Sequence, residues 1–248
     1  MRIDVVFGPP TVTPALITGR VVAVIDVLRA STSIAIALGN GARNVVPLES
    51  ADEVITRAKQ FDRGEVRLAG ERRMLIVPGF DLGNSPREFT REAVEGKTVL
   101  LTTTNGTAAM LGLQGARDVV VASYVNLEAV SVLMRTAARA GTDLTIICAG
   151  REKLFSLEDA ACAGRHVRTI PRRLARVELG DGAFAATLID RKYGDRLDQL
   201  FADSEAGQAL TEAGFGADLE ACAAVDSCPV IPILQDRQIT LLGPDRER

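Results

Sequence analysis

The chain has 248 residues, 47% hydrophobic and 25% charged, with a formal net charge of −3, which is long enough for one large or two small domains with a sizeable core. The weakly acidic balance excludes a broad basic field for nucleic acid or anionic membrane, so an anionic ligand needs a local cluster of arginines and backbone N–H groups. No run approaches the ~20 apolar residues of a bilayer span, and "MRIDVVFGPP" breaks too soon for a signal peptide, so a cytoplasmic protein is expected.

In chain order, short apolar runs alternate with helical patterns. "RIDVVF" and the nearly continuous "RVVAVIDV" read as strands, and "ASTSIAIALGNGA" as a helix stopped at glycine. "NVVPLE" is a strand, "SADEVITRAKQF" a helix opened by the capping box Ser50-x-x-Glu53, and "EVRLAGE" a strand. In "GFDLGNSPREF", Ser85 as N-cap, Pro86 at the first helical position and Glu88 three residues after the cap predict a short helix. That cap leaves Gly79, Asp81, Gly83 and Asn84 unexplained. The strand "KTVLLTTT", the helix "NGTAAMLGL", the strand "DVVVAS" and a helix with Asn126 as N-cap follow. Then come the strand "DLTIICAG" and the helix "SLEDAACAGRHVRTI", ended by Pro171. The last third is mainly helical until "PVIPILQDRQITLL" supplies one or two closing strands. Continuous apolar strands separated by helices indicate an α/β fold: three α/β/α layers around a mostly parallel or mixed sheet. No internal repeat or linker interrupts it, so a single domain over residues 1–248 is expected.

In open α/β sheets, ligands bind beyond the carboxyl ends of the strands, where helix N-termini also point. The polar residues fall there. Asp26, Arg29, Ser31, Thr32 and Ser33 follow one strand, Glu71 and Arg72 the next, Thr103, Thr104, Asn105 and Gly106 a third, and Cys148 and Gly150 a fourth. Each has a plain structural reading beside the functional one. Asp26 is either a helix cap or a metal ligand or nucleophile. Arg29 with its three hydroxyls is a solvated helix start or an anion cradle. "TTTNGT" is an edge strand with a turn or a phosphate-binding strand-to-helix turn, and the helical pattern after Gly106 favours the second. Ser156, Leu157, Glu158 and Asp159 form a capping box of their own. Cys148 reads as a core thiol and His166 as structural.

Missing motifs narrow the chemistry. There is no G-x-x-x-x-G-K-[ST] and no G-x-G-x-x-G after the first strand. Leu154 stands where a thiolate phosphatase needs arginine, and Leu28 where a paired-aspartate phosphatase needs its second acid. His166 is the only histidine, and Cys148, Cys162, Cys222 and Cys228 form no C-x-x-C pair, so a Ser-His-Asp triad, zinc and a disulfide framework are not expected.

Together "DVLRAST" (26–32), "GER" (70–72), "GFDLGNSP" (79–86), "TTTNGT" (102–107) and "CAG" with "FSLEDAACAG" (148–164) resemble the 2-phosphosulfolactate phosphatases in order and spacing. The resemblance implies a three-layer α/β, magnesium-dependent phosphohydrolase that converts 2-phospho-3-sulfolactate to sulfolactate and phosphate, a step in coenzyme M biosynthesis. On that reading Asp26, Arg29, Glu71 and Asp81 are catalytic. Ser31, Thr32, Ser33, Arg72, Asn84, Thr103, Thr104, Asn105 and Gly106 bind substrate. Mg2+ is held by Asp26, Glu71 and Asp81, with Glu158 or Asp159 next. The partner is a small anionic phosphorylated substrate. Two other readings stay open: a phosphatase for a different small anionic phosphoester, and a non-catalytic binder of small anions.

Overall fold

Runs of Val, Ile and Leu buried on both faces set the strands of the computed structural model, which describes residues 1–152, 154–170 and 177–243. The strands are β1 (Arg2–Val6), β2 (Val21–Ile25), β3 (Asn44–Pro47), β4 (Val66–Arg72), β5 (Leu75–Ile76), β6 (Thr98–Thr102), β7 (Asp118–Ala122), β8 (Leu144–Cys148), β9 (Glu178–Leu179), β10 (Pro232–Gln235) and β11 (Gln238–Leu241). The helices are α1 (Ala30–Gly39), α2 (Ala51–Ala58), α3 (Arg91–Val94), α4 (Gly106–Met110), α5 (Leu127–Arg139), α6 (Leu157–Thr169), α7 (Asp181–Tyr193), α8 (Leu197–Asp203), α9 (Glu205–Glu212) and α10 (Gly216–Ala223). The strands join in one mixed sheet, ordered β5-β4-β6-β3-β11-β10-β7-β2-β8-β1-β9.

This sheet is two parallel halves set against each other. β4, β6 and β3 are parallel on one side, and β7, β2, β8 and β1 on the other. The closing hairpin β10–β11 lies between them, antiparallel within itself, to β3 and to β7. Three antiparallel pairings reverse the sense, so β6 and β2 do not share one edge as a simple parallel sheet would require. The loops that follow β2, β4, β6 and β8 nevertheless line one cavity, as a right-handed twist accumulating over the intervening strands allows.

Alternation along β2 feeds two cores. Val21, Ala23 and Ile25 pack with Val130, Ala161, Ala183 and Leu200 of the helices on one face. Val22 and Val24 pack with Ile34, Leu38 and Met110 of α1 and α4 on the other. Val54 of α2 closes a third cluster with Val46, Val66 and Leu100. Helices on both faces give the three layers that the alternating pattern predicts. α1 is buried almost all round, its hydroxyl residues included, so it carries no amphipathic stripe.

Ser50 caps α2 as predicted, accepting from the Glu53 N–H at 3.1 Å. Two other predicted caps differ. After Ser85 there is only a 3₁₀ turn, Pro86–Glu88, and Ser85 makes no capping bond; the Glu88 carboxylate instead accepts from the Gly83 N–H. Asn126 stands at the start of α5, but its side chain accepts from the Ser123 N–H and donates to the Val121 and Val230 carbonyls. Those backbone groups are buried and need partners. α6 ends at Thr169; Pro171 lies outside the described residues. Among the described residues no helix is long and apolar enough to cross a membrane.

Candidate active site

The strand ends open onto one cavity. Asp26, Leu28 and Arg29 reach it from the β2–α1 junction, Glu71, Arg73 and Met74 from the β4–β5 turn, and Thr103, Thr104 and Asn105 from the β6–α4 junction. Asn84 comes from the preceding loop, Gly150, Arg151 and Glu152 from the segment after β8, and Glu158 and Asp159 from the first turn of α6.

Asp26 sits at the floor of this cavity. Its N–H donates to Ser31 Oγ at 2.8 Å, and its Oδ1 accepts from the Ala30 N–H at 3.2 Å. Oδ2 faces Gly106, where an added Cβ would lie 2.6 Å from Oδ2 and 2.5 Å from the Ala30 Cβ. Only glycine lets the β6–α4 junction come this close. Gly106→Ala is therefore expected to displace the carboxylate and lower turnover by roughly 10²-fold, with a stability loss of about 1–3 kcal/mol. Steady-state kinetics beside urea denaturation check both. Burial, reinforced by repulsion from Glu158 and Glu71, pushes the Asp26 carboxyl up to about 7, against the pull of the Ala30 N–H and Arg29.

The other acids divide by what holds them. Asp159 accepts from the Val27 N–H at 2.8 Å with one oxygen and from the Gly150 N–H at 3.1 Å with the other. It clamps the ends of β2 and β8 together. Glu71 likewise accepts from the Thr104 N–H at 2.7 Å and the Met74 N–H at 2.9 Å, joining the β6 loop to the β4–β5 turn. Burial raises the Glu158 carboxyl, partly offset by the Ser156 hydroxyl, and burial next to Glu158 and Asp26 holds Asp159 well above the carboxylate range.

Several predicted site residues have other employment. Ser31 Oγ holds the Asp26 N–H, Thr32 Oγ1 donates to the Val27 carbonyl at 2.9 Å and meets Ser123 Oγ at 2.7 Å, and Ser33 Oγ donates to the Asn84 carbonyl at 2.8 Å. All three are fully buried, so the expected hydroxyl cradle is instead the internal bracing of the β2–α1 turn. Arg29 reaches the cavity, yet it is 3% exposed. Its guanidinium donates to Asp218 Oδ2 at 2.7 Å and to the Met74 carbonyl at 3.1 Å, and lies 4.5 Å from the centre of the Phe215 ring. Arg72 points away, donating to Thr102 Oγ1 at 2.9 Å and the Glu71 carbonyl at 2.7 Å. Asp81 is held by the Arg63 guanidinium and the Leu68 N–H and faces a neighbouring cavity. It does not line the cavity of Asp26, and its charge is compensated by Arg63.

Thr103, Asn105 and Asn84 do arrive. Thr103 Oγ1 accepts from the Thr107 N–H at 3.1 Å, and Asn105 Oδ1 accepts from the Glu152 N–H at 2.9 Å. Both fix the loop that forms the cavity wall. Asn84 is 5% exposed, and its Oδ1 has no hydrogen-bond partner among the described residues. Sequence reading missed Asp218 and Arg73. Asp218 looks like an ordinary acid in a first helical turn. Arg73 lies one residue beyond β4, in a turn with φ of 51°, so strand parity does not point it out.

Among the described residues, no three Asp, Glu, His or Cys side chains converge closely enough to hold a metal ion by themselves. Residues 9–237 match the family described as 2-phosphosulpholactate phosphatase. A probable 2-phosphosulfolactate phosphatase of Symbiobacterium thermophilum is 40% identical over 226 residues, covering 91% of this chain and 96% of that protein. One of Clostridium botulinum, strain Eklund 17B, is 32% identical over 242 residues, 98% of this chain and 100% of its own. One of Thermotoga maritima is 36% identical over 232 residues, covering 94% and 95%. With the strand-end cavity and its acids in place, the chain belongs to the 2-phosphosulpholactate phosphatase family, and it is a phosphoric monoester hydrolase.

Proposed function

We propose that the protein hydrolyses 2-phosphosulfolactate, or a closely related small phosphorylated hydroxy acid, with Mg2+, forming sulfolactate and phosphate as in coenzyme M biosynthesis. One observation carries the reading: Asp26, Glu71 and Glu158 line a single cavity, where burial in the first place, and repulsion from Glu158 and Glu71 in the second, lift the Asp26 carboxyl to about 7. A substrate bearing phosphate, sulfonate and carboxylate cannot settle against those acids unless a cation lies between. The donor set is all oxygen, which suits magnesium. An ion that keeps most of its waters needs only one or two carboxylates, in keeping with the absence of a closed cage among the described residues.

Asp26, through Oδ2, would hold the ion with Glu158: Oδ2 has no backbone donor, whereas both oxygens of Asp159 do, and Glu158 is oriented by the Ser156 and Ser204 hydroxyls and its own N–H. Bound there, Mg2+ supplies Lewis-acid neutralisation of the phosphoryl charge. The chain's own residues set the geometry. Glu71 ties the Thr104 and Met74 backbones, joining the neighbouring loops that follow β6 and β4. Asn84 offers an amide without a competing partner. In the reaction the water oxygen bonds to phosphorus, the bond from phosphorus to the hydroxy-acid oxygen breaks, and that oxygen takes up a proton. Positioning and charge compensation account for most of the acceleration in such a transfer.

Phosphate release from 2-phosphosulfolactate and a panel of small phosphomonoesters, with magnesium and with a chelator, tests the reading. Release is expected only with magnesium and fastest with the sulfonated ester. A preference for another ester reassigns the substrate. Thermal stabilisation by these anions without any release would instead establish an anion binder.

A further inference from the structure

The β4–β5 turn makes an unusual backbone choice. Arg72 pairs with Leu75 across the antiparallel strands, which leaves Arg73 and Met74 as a two-residue turn with φ of 51° and 71°. A tight hairpin of this kind needs positive φ at both positions and favours Asn and Gly there. Side chains with a Cβ are strained in that region, and such strain persists where the surroundings enforce it and the side chain is used. The Glu71 carboxylate enforces it, accepting the Met74 N–H at 2.9 Å.

The turn delivers Arg73 to the cavity. Three arginines line it, and their charges differ in availability. Arg29 is paired with Asp218 at 2.7 Å, and Arg151 faces Glu205 at 3.6 Å. Arg73 is solvent-exposed and makes no hydrogen bond or ion pair among the described residues. Asn84 lines the same cavity, nine-tenths buried; its Oδ1 is an acceptor without a partner, so it is the amide N–H groups that can donate to an anion. An uncompensated guanidinium, with the Asn84 side-chain N–H groups on the same cavity lining, makes a site for a planar or tetrahedral oxyanion. The acids at the floor leave the phosphoryl end to a cation, so this wall addresses the other end of the substrate.

The geometry points to Arg73, assisted by Asn84, as the residue that selects substrates by a second anionic group, a carboxylate or sulfonate remote from the phosphoryl group. This rests on the proposed phosphatase reading for its catalytic arm only. Arg73→Gly, which suits the turn, is expected to raise KM for 2-phosphosulfolactate roughly tenfold or more, with a smaller effect on kcat and less than a threefold change in KM for a phosphomonoester lacking a second anion (threshold of order one weak contact, ~0.6 kcal/mol). Arg73→Lys should recover part of the loss. Calorimetric binding of sulfolactate, with inorganic phosphate as control, gives a second arm independent of turnover. Weakened sulfolactate binding with phosphate binding little altered supports the assignment. Equal losses for both ligands, no loss for either, or no sulfolactate binding by the wild type overturns it. A wild type that binds sulfolactate through Arg73 but releases no phosphate would sink the phosphatase reading and leave this assignment standing.

Discussion

Asp26→Asn is expected to abolish phosphate release and, in the same protein, to raise the melting temperature. The first effect follows from Oδ2. The amide keeps an oxygen for the Ala30 N–H but removes the negative charge from the cavity floor, and turnover should fall by roughly 10³-fold. The second follows from linkage. The Asp26 carboxyl goes from an ordinary value of 3.8 up to about 7 in the fold. Between those values the folded state holds a proton that the unfolded chain releases, so stability declines as pH rises from about 4 to about 7 and stays low above that. At about 1.4 kcal/mol per pH unit, the ceiling on the penalty at pH 8 is roughly 4 kcal/mol. The variant should therefore melt higher than the wild type at pH 8 in chelator, with the gap closing near pH 4. Scanning calorimetry at several pH values reads this directly. A variant that melts lower than the wild type at pH 8 would show that the carboxylate is well solvated and would remove the electrostatic case for a cation at this site.

Asp218→Ala should have the largest cost in stability. Arg29 and Asp218 are 3% and 2% exposed and 2.7 Å apart, and Ser85 Oγ donates to the other Asp218 oxygen at 2.6 Å. Removing the acid strands a buried guanidinium, which costs about 3–5 kcal/mol. Urea denaturation measures it. The double variant Arg29→Met with Asp218→Leu, which removes both charges, should regain most of that loss. If the single and double variants lose the same amount, packing around Phe215 rather than charge holds this corner together. The pair also explains the helical last third: α10 carries the acid that neutralises the cavity's deepest arginine.

The architecture was legible because it is written in patterns of period two and three to four. Val21 to Ile25 could be nothing but a strand buried on both faces, and the capping box at Ser50 marked its helix. The strand ends carrying Asp26, Glu71, Thr103 and Gly150 were likewise identifiable, and they do meet. What sequence alone did not carry was the partner of each polar group. Ser31, Thr32 and Ser33 look like donors for an anion until the backbone they brace is seen. Asp81 looks like a ligand until Arg63 is found beside it. Asp218 stands 189 residues from Arg29 in the chain, and no local periodicity encodes a pairing at that distance. The reversal between half-sheets was hidden for the same reason, since it depends on where the final hairpin inserts.

That hairpin has a consequence for how the protein is made. β10 and β11 are among the last described residues, yet they occupy the middle of the sheet. A nascent chain emerging from the ribosome can assemble β4-β6-β3 and β7-β2-β8-β1 separately, but it cannot join them until Pro232–Leu241 is free. Throughout that interval β3 and β7 present open edges, the kind that recruit strands from other molecules. Long-range closure of this sort is slow relative to local helix formation. A product terminated just before Pro232 would still contain every acid of the cavity, and Asp218 as well, and would be expected to accumulate as aggregate. The information for chemistry is complete well before the information for solubility.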